Sequence, residues 1–426
     1  MQEKIINHFI SLTKVPHCSQ NSDALFQYLI DFAKKCDYTI YHDDLQNILF
    51  RKGSPKLAIQ AHYDMVCMGK APDIETYIEE GWMYAKESSL GADNGIAIAM
   101  MMVLMEQGLE LEFLFTSDEE VGLIGANGIN LELTSQYMLN IDYEDEGIVC
   151  IGCAGGADIL ASQNFYKLES EDFYGYSYNY KLSVLDLEGG HSGVDIDKNI
   201  PNAVKVLADY LKDKEVLLSS CYGGERRNSI PANIVMEVAS KTPLEGNRWV
   251  QVEKLDRELA LYDSDDFLML LQEFQDGVHT YNEEFNLPDT SINLAIVNFK
   301  EGKGEIEASS RAMNDIALEK INQLTEELLL KYGFNTSIEY KYPAWKPEIN
   351  EFTSSVNSAM THLFGESRYE AIHAGLECGV LLERYPHIKF ASIGPTIAYP
   401  HSTREGLKLD SVEKIFKVVE EVVSTL

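Results

Sequence analysis

Leu111-Glu-Phe-Leu-Phe-Thr-Ser-Asp118-Glu119-Glu120-Val-Gly122 is the stretch on which the reading of this chain turns. It opens as an apolar, β-prone run and stops in three consecutive acids before a turn-permissive glycine. A strand that ends in carboxylates concentrates negative charge at one edge of a sheet. That is unfavourable unless a cation or a reaction uses the charge. An isolated acidic triplet is ordinarily a solvated loop. Here other segments repeat the pattern. Leu57-Ala-Ile-Gln-Ala61 runs into His62-Tyr-Asp64, and Tyr137-Met-Leu-Asn-Ile141 runs into Asp142. Gly91-Ala-Asp93-Asn-Gly95 opens an apolar helical run, and His401 sits in a Tyr-Pro-His-Ser turn.

Outward from these strands, helical spacing covers residues 3–12 and 22–35. The small apolar run 96–107 predicts a helix buried against a sheet. Residues 69–90 read as a polar connection. Strands alternate with helices to about residue 180, which predicts an α/β domain with a mostly parallel sheet. The pattern then changes. Residues 180–187, 234–240, 257–262 and 291–300 read as strands, and 199–213, 265–276 and 314–332 as helices, an α+β arrangement. After the stiff Tyr342-Pro-Ala-Trp-Lys-Pro347 crossing, helices at 352–365, 375–385 and 410–425 and a strand at 390–393 return to α/β. The expectation is a discontinuous domain of residues 1–181 and 349–426, interrupted by an inserted α+β domain of residues 182–348.

The bulk properties set limits. A chain of 426 residues exceeds one ordinary core, so two domains are expected. With 68 acidic against 35 basic residues the formal charge is −33, which argues against nucleic acid or an anionic membrane as partner. The longest apolar run, 96–105, is too short to span a bilayer, and the N-terminus lacks a signal-peptide apolar region. Seven scattered cysteines form no evident disulfide framework, so a cytoplasmic setting is the default expectation. Cys150-Ile-Gly-Cys153 has no second pair and no nearby histidine, which weighs against both a structural zinc site and a redox pair.

Open α/β sheets gather ligands at the carboxyl ends of their strands. His62, Glu119, Glu120 and Asp142 each follow a strand, Asp93 precedes a helix, and His401 follows the last strand. Two imidazoles and several carboxylates converging there suit Zn²⁺, with Mn²⁺ or Co²⁺ as substitutes. One carboxylate can bridge two ions about 3.5–4 Å apart.

These motifs, with Gly152-Cys-Ala-Gly-Gly156, Gly189-Gly-His-Ser-Gly193, Arg227-Asn-Ser-Ile-Pro231, His373-Ala-Gly-Leu-Glu-Cys-Gly379 and Ile393-Gly-Pro-Thr396, resemble the M20 family of zinc metallopeptidases. Within it they look most like the aminoacyl-histidine dipeptidase group. The resemblance implies two Zn²⁺ ions per chain, with Asp93 bridging them. His62 and Asp142 would complete one position, and Glu120 and His401 the other. Glu119 would be the general base, and Asp64 would orient His62. The inserted domain would act as lid and homodimerisation domain. His191 would stabilise the oxyanion, Asn228 would add a polar contact, and Arg311 would bind a peptide carboxylate. Glu377 and His373 would lie near the substrate amine. Asp118 receives no role.

The expected activity is metal-dependent hydrolysis of small unblocked dipeptides, Xaa-His and carnosine-like ones among them. A tripeptidase or a deacylase of N-acyl amino acids is the alternative within the family. A non-enzymatic metal-binding protein is opposed by the complete ligand set together with Glu119.

Overall fold

Strand Leu57–His62 is buried along its whole length. It lies in the middle of an eight-stranded sheet in the computed structural model, which describes residues 1–169 and 171–426. Glu112–Thr116 and Tyr137–Asn140 flank it in parallel, and Lys389–Ser392 runs parallel to Tyr137–Asn140. Antiparallel strands Ile48–Arg51 and Thr39–His42 finish one side. Ile148–Cys153, antiparallel to Lys389–Ser392, and then Arg368–Ile372 finish the other. Three consecutive parallel pairings thus join the four central strands. Those are the segments with near-continuous apolar sequence, as expected of strands covered on both faces. Helix Ala92–Glu106 is buried from Asn94 to Met105 and packs on Gln2–Leu12 and on the central strand. Each fully buried Ile, Leu, Val or Met side chain there contributes roughly 1.5–3 kcal/mol.

Residues 69–90 are not merely a polar connection. They contain the hairpin Thr76–Glu79 and Trp82–Ala85. Trp82–Ala85 pairs with Gly406–Lys408, which pairs with Ile397–Ala398. The hairpin was illegible because Thr76–Glu79 is largely exposed and has no apolar face to mark it. Its partner strands, which carry the His401 loop between them, lie near the other end of the chain.

The chain divides into two compact units. The first comprises Met1–Cys153, Trp345–Ala371 and Leu376–Leu426, and the second Ala154–Ala344 and Ile372–Gly375. The boundaries expected at 181/182 and 348/349 therefore shift. Gly155–Asn164 belongs to the second unit because it is hydrogen-bonded along its length between Lys303–Ala312 and Asn335–Tyr342. The second unit has a nine-stranded antiparallel sheet with helices Ala203–Leu211, Asp265–Glu273 and Asp315–Lys331. Phe267, Phe299 and Phe334 are central to its core. Residues 257–262 do not form the expected strand. The pairing strand is Gln251–Lys254, against Tyr178–Val184. Leu259 and Leu261 instead pack against Leu217 and Ala239, so their apolar character reflects side-chain burial without a ladder.

Cys18 and Cys67 form a disulfide with their Cα atoms 5.5 Å apart, a single bond that the scattered spacing did not announce. Cys150 and Cys153 are free and buried. Among the described residues no helix is long and apolar enough to cross a membrane.

Candidate metal centre

At the carboxyl edge of the first unit's sheet, His62 Nδ1 lies 3.0 Å from the Asp64 carbonyl oxygen and 3.5 Å from Asp64 Oδ1. Nδ1 therefore carries the proton, and the Nε2 lone pair points outward. Nε2 is 3.0 Å from Asp93 Oδ1 and 3.3 Å from Asp142 Oδ1. His401 Nε2 is 2.9 Å from both Asp93 Oδ2 and Glu120 Oε2. Asp93 thus presents one oxygen to each imidazole. Two sets of three donors result, His62 with Asp93 and Asp142, and Asp93 with Glu120 and His401; a further set joins His62 to Glu119 and Glu120.

The donor chemistry fits divalent ions. A lone pair facing two carboxylate oxygens is repulsive by itself and attractive toward a shared cation. Ligand atoms about 2.0–2.1 Å from one ion in a tetrahedron are separated by about 3.3 Å. The separations of 2.9–3.3 Å here come close to that edge. Glu120 Oε1 is buried without a hydrogen-bond partner among the described residues, so a donor atom remains uncommitted.

The charges confirm how unfavourable the bare arrangement is. Burial, with the neighbouring Asp93, pushes the Glu120 carboxyl up to about 7 despite His401. Burial also raises Glu119 far above the usual carboxylate range, with Glu120 and Asp142 adding to it against the opposing pull of His62. Burial alone would depress His401, but Asp93 and Glu120 lift it to about 11. Cations at this position would take over the work that protons do in their absence.

Local backbone contacts position each donor. Asp64 Oδ1 accepts the N–H of Glu119 at 2.9 Å and Oδ2 that of Glu120 at 3.4 Å. Gly91, at φ 71°, turns the chain into the Asp93 segment, and a Cβ there would meet Met65 Sδ at 2.8 Å. Asn94 Nδ2 donates to Asp142 Oδ1. Asp118, which had no role in the sequence reading, accepts the N–H of Gln20 at 2.5 Å and ties down the segment beside the Cys18–Cys67 bond.

Just behind the donors lies a polar row of which the sequence singles out only Glu377. Gln60 Nε2 donates to Glu377 Oε2 at 2.5 Å and to Thr116 Oγ1 at 3.0 Å; Thr116 Oγ1 donates to the same Glu377 oxygen at 2.7 Å. Gln60 Oε1 accepts from Asn140 Nδ2 at 2.6 Å, and Ser392 Oγ donates to Asn140 Oδ1. All five side chains are fully buried. Their signal was available: Gln60 stands two residues before His62, and Asn140 two before Asp142. Strand alternation puts such pairs on one face. Glu377 is consequently set among His62, Asp142 and Glu119, and its Oε1 has no hydrogen-bond partner among the described residues.

His191, Asn228, Arg311 and His373 belong to the second unit. Gly190–His191 pairs with Ser229–Ile230, and the Asn228 carbonyl accepts the Ser192 N–H at 2.9 Å, so His191 and Asn228 lie at one end of a short ribbon. His191 Nδ1 accepts the N–H of Gly193 at 3.1 Å, which leaves the proton on Nε2. Arg311 is buried. Its Nη1 donates to Tyr342 Oη at 2.8 Å and Nη2 to Ser192 Oγ at 3.5 Å, while Nε has no partner among the described residues. His373 Nε2 is 2.7 Å from Ser291 Oγ, and burial, with Arg311 adding, pushes its imidazole down to about 3.

The family model for peptidase family M20/M25/M40 matches residues 58–425. The cytosol non-specific dipeptidase of Escherichia coli strain K12 is 30% identical, over 98% of this chain and 96% of that protein. The crystal structure of the aminoacylhistidine dipeptidase of Vibrio alginolyticus superposes with a TM-score of 0.82 at 26% identity, covering 99% of this chain and 96% of that one. Human carnosine dipeptidase 1 shares the fold, with a TM-score of 0.57 at 12% identity over 100% of this chain and 97% of that one. The chain belongs to the M20/M25/M40 peptidase family.

Proposed function

We propose that this protein is a metal-dependent dipeptidase that hydrolyses small unblocked dipeptides, Xaa-His among them. The observation that carries the reading is Asp93, whose two carboxylate oxygens are each addressed by a different imidazole at 3.0 and 2.9 Å, with Glu119 alongside. His62 and Asp142 would hold one ion with Asp93, and Glu120 and His401 the other. Two such ions, Zn²⁺ first with Mn²⁺ or Co²⁺ able to replace it, would polarise the scissile carbonyl and acidify water.

The remaining work falls to the chain's own groups. Glu119 takes the proton from the attacking water and passes it to the leaving amine. Asp64 keeps the His62 proton on Nδ1 and fixes the backbone of Glu119. His191, donating through Nε2, steadies the negative charge that develops on the carbonyl oxygen, and Asn228 supplies a further polar contact. Glu377, a buried carboxylate with an unpartnered oxygen, suits a free substrate ammonium. Arg311 is a buried cation bonded to hydroxyls, so a substrate carboxylate would supply the acid it lacks. Recognition of a free amine and of a free carboxylate would favour short, unblocked peptides. The second unit acts as lid and as the contact of a homodimer, and the protein works in the cytoplasm. The names of the Escherichia coli and Vibrio alginolyticus relatives, both dipeptidases, support this reading.

A turnover screen with carnosine, other dipeptides, tripeptides and N-acetyl amino acids tests it. Dipeptides are expected to be cleaved, with activity lost to chelator and restored by Zn²⁺, Mn²⁺ or Co²⁺. Turnover of tripeptides or N-acyl amino acids alone would overturn the dipeptidase assignment.

A further inference from the structure

Glu405 is a buried carboxylate, 3% exposed, outside the donor sets described above. Its Oε2 accepts the N–H groups of Leu90 at 2.8 Å and Gly91 at 3.2 Å, and its Oε1 those of Ala92 at 2.7 Å and Asp93 at 3.4 Å. One side chain thus holds four consecutive backbone donors of the turn that delivers Asp93. Glu405 itself belongs to the loop between Ile397–Ala398 and Gly406–Lys408, the loop that carries His401. Its own N–H donates to the Ser402 carbonyl at 3.2 Å.

This placement is costly. Asp93 lies close enough to repel Glu405, and burial removes the water that would otherwise solvate it. Charge-assisted hydrogen bonds from four N–H groups offset that cost. A neutral residue could fill the same space without the repulsion, but it could not accept four N–H bonds. The four bonds also join two segments that meet only in the folded chain, the Asp93 turn and the His401 loop. His62 and Asp142 sit at strand ends outside the Glu405 loop, and His62 is held through Asp64.

We propose that Glu405 is a positioning residue that fixes the His401 loop against the Asp93 turn and so sets the affinity of the metal position formed by Asp93, Glu120 and His401. The inference rests on the two-metal reading above. It requires a selective effect: loss of the clamp frees His401 relative to Asp93, while the His62 and Asp142 side keeps its own supports.

The test is a titration of chelator-treated protein with Co²⁺, followed by calorimetry and by the visible absorption of bound cobalt. Wild type is expected to bind two ions. In Glu405→Gln, whose amide NH₂ would face backbone N–H groups, one ion is expected to bind about 10–100-fold more weakly while the other is nearly unchanged. Activity of the variant should climb toward the wild-type value as Co²⁺ is raised, with KM for the dipeptide unaltered, because mass action refills the weakened position. Glu405→Asp, which keeps the charge on a shorter arm, should fall between the two and serves in its place if the glutamine variant does not fold. Unchanged binding of both ions, or equal weakening of both, would overturn the proposal. Wild-type protein that binds fewer than two ions would overturn the two-metal reading as well. Wild type binding two with no selective loss in the variants would overturn the role of Glu405 alone.

Discussion

The carboxylate of Asp64 accepts the backbone N–H of Glu119 at 2.9 Å. The same group takes the N–H of Glu120 and faces the protonated nitrogen of His62. One side chain therefore couples the end of the central strand to the segment that follows its parallel neighbour. Asp64→Ala is expected to lower metal affinity or kcat by about 10–100-fold, the range for partners of metal-binding histidines. Metal titration and steady-state kinetics on the same preparation would check this. An effect on thermal stability alone would show that Asp64 only packs.

Glu119 and Glu120 are neighbours assigned different work. Glu119→Ala is expected to keep both metals and lose about 10²–10⁴-fold in kcat, the usual contribution of a general base. Glu120→Ala is expected to lose a metal. Elemental analysis beside kcat separates the two. Full activity in Glu119→Ala would remove it as the base.

Buried carboxylates crowded around Asp93 should make metal removal destabilising. An ion at about 100 times its Kd adds about 2.7 kcal/mol to the folded state. For a unit of this size that corresponds to a Tm lowered by roughly 5–10 °C in chelator. Calorimetry with and without chelator measures it, and an identical Tm would mean that the folded protein holds no tightly bound ion.

A pH dependence arises in the second unit, at Asp276. Its Oδ1 accepts the N–H of Leu294 at 2.7 Å and Asn202 Nδ2 at 3.1 Å, and burial pushes its carboxyl up to about 6. Between about pH 4 and that value the folded chain holds a proton the unfolded chain has released, so this group's contribution falls as pH rises through the window. Asn at this position keeps both accepted bonds without the charge. Asp276→Asn should match wild type below about pH 4 and exceed it above pH 6 by up to about 3 kcal/mol. Denaturant unfolding at a series of pH values tests the sign, and a variant less stable at neutral pH would refute it.

Gln60 links Glu377 and Thr116 to Asn140 across the sheet. Gln60→Leu would strand buried polar groups on two neighbouring strands. The expected loss is roughly 1–3 kcal/mol for each group left unsatisfied, read from equilibrium unfolding. Stability equal to wild type would show that water or rearrangement replaces the amide.

The donors themselves were legible because each one interrupts a strong local pattern. His62, Glu119, Glu120 and Asp142 stand where apolar parallel strands stop, and Asp93 where a buried helix begins. Glu405 and Asp118 look like ordinary surface acids in the sequence. What they do depends on backbone N–H groups from segments remote along the chain. Gln60 and Asn140 left a trace as polar residues within apolar runs, but a trace without a partner has no reading.

The sequence by itself determined the central strands, most of the helices and the residue types gathered at the sheet's carboxyl edge. Local hydrophobic periodicity and strand termination suffice for those. The tertiary structure alone decided the exchange of Gly155–Asn164 into the second unit, the hairpin that holds the His401 loop, and the Cys18–Cys67 bond. It also decided which oxygen of Asp93 meets which imidazole. Strand pairing, disulfide partnership and the orientation of a carboxylate are all set by neighbours that the folded chain brings in from elsewhere.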